Sequence, residues 1–598
     1  MIMWANAVKE ILSVVTAGKR ASQFIRKGQK VALAIAVGLM MIAGALTNIP
    51  AVILGRLVDD MLSDAVGDFA EAIPFLVVIA LAIIVREVLT VGRKYLVENV
   101  CTQIEKDSTV RAVAHLLRLD MSFFSQHKVG ALRGRLQRST EGLVRLIKLA
   151  FLDFLPTLCA AAFALGVVII RLPWFGLLMT GVIPAGFMIV LWQVTSQKGI
   201  RVSLLRTRET MDGTVVEVLG GIESVRAANT GSIETSKVEQ TAESLRGKEI
   251  RHHLSMALFD SAKYVNEGAW FMAVISVAIY LATRGVISRG DILTYSMLYL
   301  SVMNPLREMH RVLDEAHESS IRVTDLFDLL AEKEDDSFAV TASACSLSWP
   351  ETRPVIVAKA VTFRYPGSGR SDAALSNVSC EVLKGERIGV AGPSGSGKST
   401  FIRLLLRLQH LSEGEILIGG LPIRELSREA IAASTVYVSQ TPFVFSGTIR
   451  ENLTYGCGDC AIELVIEAAK KAQIHEEIVD LGGYSANVAE RGTNFSGGQK
   501  QRMALARIYL SAPEIVILDE ATAALDNINE MAVQKTLEEA MQGRTVIMIA
   551  HRLSTLRDVD RILVFDRGRI VETGSYEQLI AMGGVFARLD QIARTVGR

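Results

Sequence analysis

The run Arg387-Ile388-Gly389-Val390-Ala391, followed by Gly392-Pro393-Ser394-Gly395-Ser396-Gly397-Lys398-Ser399-Thr400 and then Phe401-Ile402-Arg403-Leu404-Leu405, decides the fold of the second half of the chain. A short apolar run reads as a buried strand, and the leucine-rich run as a helix. Between them, glycines at the spacing of a phosphate-binding loop let backbone N–H groups converge on phosphate oxygens at the positive end of a helix. Lys398 supplies a point charge for the β- and γ-phosphates, and the Ser399 hydroxyl a magnesium ligand. Strand, loop and helix in this order predict a nucleoside triphosphate with Mg2+ on an α/β domain with a largely parallel sheet.

Downstream, Glu514-Ile-Val-Ile-Leu-Asp519-Glu520 reads as a buried strand ending in two acids. A parallel strand delivers its ligands at the carboxyl end, where the phosphate loop also lies. Asp519 is expected to hold magnesium and Glu520 to act as general base toward the attacking water. Between these motifs stands Asn494-Phe495-Ser496-Gly497-Gly498-Gln499, a second glycine-rich helix start suited to a γ-phosphate.

Upstream, the chemistry changes. The chain has 598 residues, half of them hydrophobic, with a mean hydropathy of +0.32. Apolar runs predict six membrane-spanning helices at roughly 31–55, 72–96, 147–170, 173–195, 264–284 and 291–310. Lys19, Arg20, Arg26, Lys27 and Lys30 precede the first run, and the long polar stretches after the second and fourth are basic. Positive segments stay in the cytoplasm, so both ends of the chain belong there. Residues 1–330 therefore form an all-α membrane domain, 331–353 a polar linker and 354–598 the nucleotide-binding domain. Sixty-four basic residues balance 63 acidic ones, which excludes a nucleic-acid binder that relies on overall charge. Six cysteines stand at no framework spacing, and Cys457-Gly-Asp-Cys460 lacks the second ligand pair a zinc site needs.

The motif Asn494 to Gln499 is similar to the signature sequence of ATP-binding-cassette proteins, with Phe495 where leucine is commonest. The other elements of that family follow in order, and the resemblance assigns their roles. It places Tyr365 against adenine, Gln440 on magnesium, Glu490 in the loop before the signature, and His551 on the γ-phosphate. Ala523 stands where serine is usual, in the loop ending at Asp526. Gly392 to Thr400 bind ATP from one subunit, and Ser496, Gly497, Gly498 and Gln499 reach the nucleotide of the opposite subunit. With the six spans, the chain resembles exporter-type half-transporters, which implies an ATP-dependent transporter working as a homodimer. Its implied cargo is an amphiphilic or conjugated small molecule, a lipid or a peptide. The expected location is a bacterial cytoplasmic membrane, with the nucleotide-binding domain in the cytoplasm. Leu119 to Gln126 and Thr214 to Ala227 look like the two cytoplasmic coupling segments. The stretch Arg138 to Thr157 resembles mitochondrial-type glutathione-conjugate and heavy-metal exporters. Tyr264-Val-Asn-Glu267 and Met303-Asn-Pro-Leu306 depart from that group, so its substrate is not carried over. An ATP-gated channel and an importer on the same scaffold use the same motifs; uptake against a gradient, and its sidedness, separate them.

Charged residues interrupt the spans at Arg86, Glu87, Asp153, Lys263 and Glu267. Ionisable groups at such depth face protein or water. Two readings are open: they line an inward-open substrate cavity, or they pair between helices or stand exposed where the helices continue into the cytoplasm.

Overall fold

The computed structural model describes residues 14–63, 69–127, 129–339, 347, 349, 353–365, 373–458, 460–519, 537–550 and 553–596. The chain divides into two compact units, Met1–Leu116 with Val129–Glu332, and Leu117–Lys128 with Lys333–Arg598.

The first unit is helical. Its helices are α1 (Lys27–Ser63) and α2 (Phe69–Leu116), and, beyond the short α3 (Met121–Gln126) of the second unit, α4 (Val129–Lys148) and α5 (Leu155–Arg171). There follow α6 (Pro173–Thr180), α7 (Val182–Gly220), α8 (Ile222–Ala227), α9 (Gly231–Thr283) and α10 (Arg289–Ala331). With 48 residues, α2 reaches about 72 Å, more than twice the hydrocarbon thickness of a bilayer. The helices therefore outrun the apolar runs that mark the spans, because the polar residues beyond them are also good helix formers.

Local chemistry sets the breaks. Pro156 has no N–H to give Leu152, and the chain between α4 and α5 widens into a π-turn over Leu149–Phe154. Leu172 is non-helical ahead of Pro173, which opens α6. Ser288 and Asp291 form a reciprocal capping box at the start of α10. Gly55 on α1 and Gly290 on α10 meet backbone to backbone: a Cβ built on Gly55 would stand 1.9 Å from Thr294 Oγ1.

Among the described residues, five helical stretches are long and apolar enough to cross a membrane, in α1, α2, α4–α5, α6–α7 and α9. The most apolar window, in α2, is also the least buried, at 11%. An apolar surface of that size requires lipid or another chain to cover it. α10 is not among the five; it is more polar, yet Tyr295, Leu298, Tyr299, Val302 and Met303 on it are buried.

The second unit is α/β. Strands β1 (Ile356–Phe363), β2 (Leu375–Val382) and β4 (Glu413–Ile418) form an antiparallel sheet, order β2-β1-β4, with short strand Leu421–Pro422 at its edge. The main sheet holds β3 (Arg387–Ala391), β5 (Thr435–Val438), β6 (Ile515–Asp519), β7 (Thr545–Ile549), β8 (Arg561–Asp566) and β9 (Arg569–Gly574). Its order is β9-β8-β3-β7-β6-β5, parallel except at the β8–β9 pair. Val546 and Met548 enter one core cluster, Ile547 and Ile549 the other. A parallel strand covered on both faces is apolar at successive positions, as Val546 to Ile549 are.

The expected linker begins differently. Leu119 forms a bridge with Glu334, and Asp335 is buried, accepting from Ser337 N at 2.8 Å and pairing with Arg428 at 3.1 Å. His410 Nε2 stands 2.8 Å from Asp120, the N-cap of α3, and 3.6 Å from Asp335. Residues 333–339 are thus anchored structure, because a buried carboxylate is kept only where donors surround it. This corrects the reading of 331–353 as linker over its first residues.

Candidate nucleotide site and membrane charges

Register builds the nucleotide site. Ile549 on β7 pairs with Val390 of β3 on one side and with Asp519 of β6 on the other. Strand spacing of about 4.8 Å sets Asp519 and Val390 roughly 10 Å apart at one level. On the far side of β6, Val438 pairs with Leu518, so Gln440 leaves β5 at the same edge. Four adjacent parallel strands therefore deliver Gly392, Asp519, Gln440 and the continuation of β7 to one rim. Glu520 and His551 directly follow β6 and Ala550 in sequence but lie outside the described residues, as do Ala523 and Asp526.

The loop between β3 and α11 (Lys398–Leu405) has the conformation its glycines predict. Gly392, Gly395 and Gly397 have φ of 145°, 78° and 105°. A Cβ on Gly392 would stand 2.1 Å from the Phe565 carbonyl oxygen, and one on Gly397 2.8 Å from that of Ala374. Ser396 is buried with its hydroxyl unpartnered among the described residues. A backbone cradle with a spare buried hydroxyl fits a polyphosphate. Lys398 Nζ donates to the carbonyls of Gly392 and Pro393 at 2.7 and 2.8 Å, so its charge rests across the loop. Pro393 and Ser394 complete the loop, and Ser399 and Thr400 lie in the first turn of α11. Tyr365 packs edge-on against Phe363, with its hydroxyl 3.0 Å from Thr400 Oγ1.

Tyr437 on β5 was not read from the sequence. Its hydroxyl donates to Asp519 Oδ2 at 3.1 Å. Burial, then the charge of Asp519 and this hydrogen bond, push its phenol well above the ordinary tyrosine value, so it stays a donor. Only the alternation of Thr435-Val-Tyr-Val438 points to it, and alternation does not name a partner.

Ser496 caps α12 (Gly497–Ser511) in a capping box with Gln499. The side chain of Gln499 also donates to Glu477 at 2.8 Å, so it is committed within its own chain. Phe495 is buried in the core, which explains why a larger apolar residue is accepted there, while Ser496 and Gly497 remain exposed.

The membrane charges do not gather into one cluster. Arg86 donates to Glu87 at 3.1 and 2.5 Å, beside it on α2. Asp153, in the π-turn, lies 3.6 Å from Arg145 and 3.5 Å from Arg311. Lys263 pairs with Asp260 at 2.6 Å, and Glu267 with Arg307 at 2.7 Å. Asp153 and Glu267 are thus paired across helices and Lys263 within its own helix, and Arg86 and Glu87 line a cleft of about 210 Å³.

Two family models match the chain, the ABC transporter transmembrane region over residues 33–306 and the ABC transporter model over residues 375–523. The ATP-dependent lipid A-core flippase of Legionella pneumophila (strain Paris) is 30% identical over 88% of this chain and 88% of its own length. Heavy metal tolerance factor 1 of Caenorhabditis elegans is 29% identical over 83% of this chain, which spans 62% of that relative. A bacterial Atm1-family ABC exporter solved with ATP bound is 27% identical, with a TM-score of 0.78 over 94% of this chain and 98% of that one.

Proposed function

We propose, for a chain that belongs to the ABC transporter family and joins membrane region and ATP-binding cassette in one polypeptide, ATP-driven export by a homodimer that closes around two nucleotides. The cassette is an ATPase coupled to transport. The observation that carries the reading is the strand register, which brings the phosphate loop, Asp519 and Gln440 to one rim.

In this reading the glycine loop and Lys398 hold the β- and γ-phosphates, and Tyr365 stacks on adenine. Ser399, Gln440 and Asp519 hold Mg2+, which when bound supplies neutralising charge for the phosphate oxygens. Tyr437 keeps the Asp519 carboxylate oriented by donating to it. Glu520 accepts a proton from the attacking water, and His551 contacts the γ-phosphate. The exposed Ser496 and Gly497 at the start of α12 offer backbone N–H groups to the nucleotide held by the partner. Each protomer then contributes half of two sites, and ATP drives closure through contacts made only in the closed state.

Six crossings are assigned, the sixth on α10, in a bacterial cytoplasmic membrane with the cassettes in the cytoplasm. Mg2+ is the metal cofactor and nucleic acid is no partner. The cargo class is an amphiphilic or conjugated small molecule, a lipid or a peptide. The relatives' names, a lipid A-core flippase and a heavy metal tolerance factor, point to no single cargo, and export is supported by the likeness to the Atm1-family exporter.

Glu520→Gln tests this reading. Loss of a general base costs about 10²–10⁴-fold in rate, so phosphate release should fall by that factor while ATP binding persists. The full-length variant saturated with MgATP should show its cassettes paired by crosslinking through the Ser496 region. Unpaired cassettes, or unchanged hydrolysis, would refute the composite site.

A further inference from the structure

Arg93 stands apart from the other charges of the first unit. It is 7% exposed, and its Nε is buried with no hydrogen-bond partner among the described residues. Asp153 is near enough to act on it through space, but that carboxylate already lies between Arg145 and Arg311. A buried guanidinium without a bonded acceptor is costly, and such a group is retained where an anion completes it.

What the guanidinium faces is a cleft of about 210 Å³ between α1, α2 and the start of α5. Arg86, Thr90 and Arg93 follow one another at i, i+4 and i+7, one face of α2. Met40, Ala43, Gly44 and Thr47 present the matching face of α1. Gly44 lets α5 approach closely: a Cβ there would meet Ala160 N at 3.0 Å. Glu87 is the one acid lining the cleft, and it is engaged by Arg86, which leaves the charge of Arg93 uncompensated by hydrogen bonding. Counted from Phe69, Arg86 lies about 25 Å and Arg93 about 36 Å along α2, at the cytoplasmic boundary of a hydrocarbon core of about 30 Å. Ile83, one turn before Arg86 and Glu87 on this side of α2, is apolar and exposed, a surface suited to an acyl chain.

We infer that this cleft is a binding site for the oxyanion headgroup, phosphate or carboxylate, of an amphiphile drawn from the inner leaflet, with Arg93 as its clamp. A planar guanidinium with a free edge takes such a group through charge-assisted hydrogen bonds, and Thr90 adds a hydroxyl donor one turn away. The oxyanion belongs either to a resident bilayer lipid or to an acidic cargo. Only the cargo alternative rests on the exporter reading.

The test uses full-length protein in phosphatidylcholine nanodiscs with and without phosphatidylglycerol, and in detergent with dodecyl phosphate, read by native mass spectrometry. Wild type should retain the anionic probes over phosphatidylcholine, and Arg93→Gln should weaken retention by roughly 10- to 100-fold, as expected for hydrogen bonds to a charged group. Retention unchanged by MgATP in the Glu520→Gln background assigns a resident lipid; retention lost on addition of MgATP assigns cargo. Equal retention by wild type and Arg93→Gln, or none by either, overturns the site. Should Arg93→Gln not elute as a monodisperse species, Thr90→Leu fills the cleft with Arg93 in place and must reduce retention likewise. Binding is read without hydrolysis, so failure here and failure of the composite ATP site are separate results.

Discussion

Lys398 and Arg93 are both cations placed to meet an anion, one in each half of the molecule, and they are held in opposite ways. Lys398 lies on a loop whose glycines force the backbone into a cradle, and its ammonium rests on two carbonyls of that loop. Arg93 sits on a continuous helix, and what surrounds it comes from separate helices, α1, α2 and the chain around Pro156. A site made by backbone conformation writes itself into a short stretch of residues. A site made by side chains meeting across helices leaves only a spacing on each helix, and no single stretch states it.

The largest expected effect breaks the first half of this contrast. Lys398→Ala removes the charge from the loop and should abolish measurable hydrolysis, with nucleotide affinity down by about tenfold or more, read by titration with a fluorescent ATP analogue. Next, Gly55→Val sharpens the second half. Its side chain would collide with Thr294 and Gly290 where α1 meets α10. Overpacking of this kind costs about 1–3 kcal/mol, so the membrane unit should unfold at lower temperature in a scanning assay while ATP affinity is unchanged. Tyr437→Phe tests the contact the sequence did not announce. Losing one donor to Asp519 should slow hydrolysis by roughly 2- to 12-fold and leave ATP affinity near wild type.

The smallest effect concerns α3. Burial pushes the Asp335 carboxyl up, but hydrogen bonds from Ser337 and the charges of His410 and Arg428 outweigh it and hold the group below the ordinary carboxylate range. A depressed carboxyl stabilises fully above its unfolded pKa of about 3.9 and loses that contribution as pH falls through its lower, folded value. Protection of residues 117–128 in hydrogen exchange should therefore weaken only below about pH 4. Asp335→Asn should show weaker protection at neutral pH and no further acid loss.

The nucleotide half was legible because phosphate binding constrains the backbone. Only glycine tolerates the φ of 145° at Gly392, and only a helix start supplies the N–H groups, so the residue types are dictated. The spans were legible because a bilayer demands long apolar runs. Helix ends were not, since Glu105, Lys106 and Asp107 extend α2 into water as readily as apolar residues extend it through lipid. The pairing of Asp153 with two arginines was not legible either, because the π-turn ahead of Pro156 shifts its direction.

By itself, the order of residues determined that one half of this protein binds a triphosphate on a parallel sheet and that the other half meets lipid. The tertiary structure alone decided which charges find partners. Asp153 and Glu267 are paired across helices, Arg93 is buried with an unpartnered nitrogen, and the supposed linker is tied down through Asp335. The reason is physical. Apolar periodicity and glycine geometry act within a few residues, whereas the partner of a charge depends on which helices the packing brings within about 4 Å.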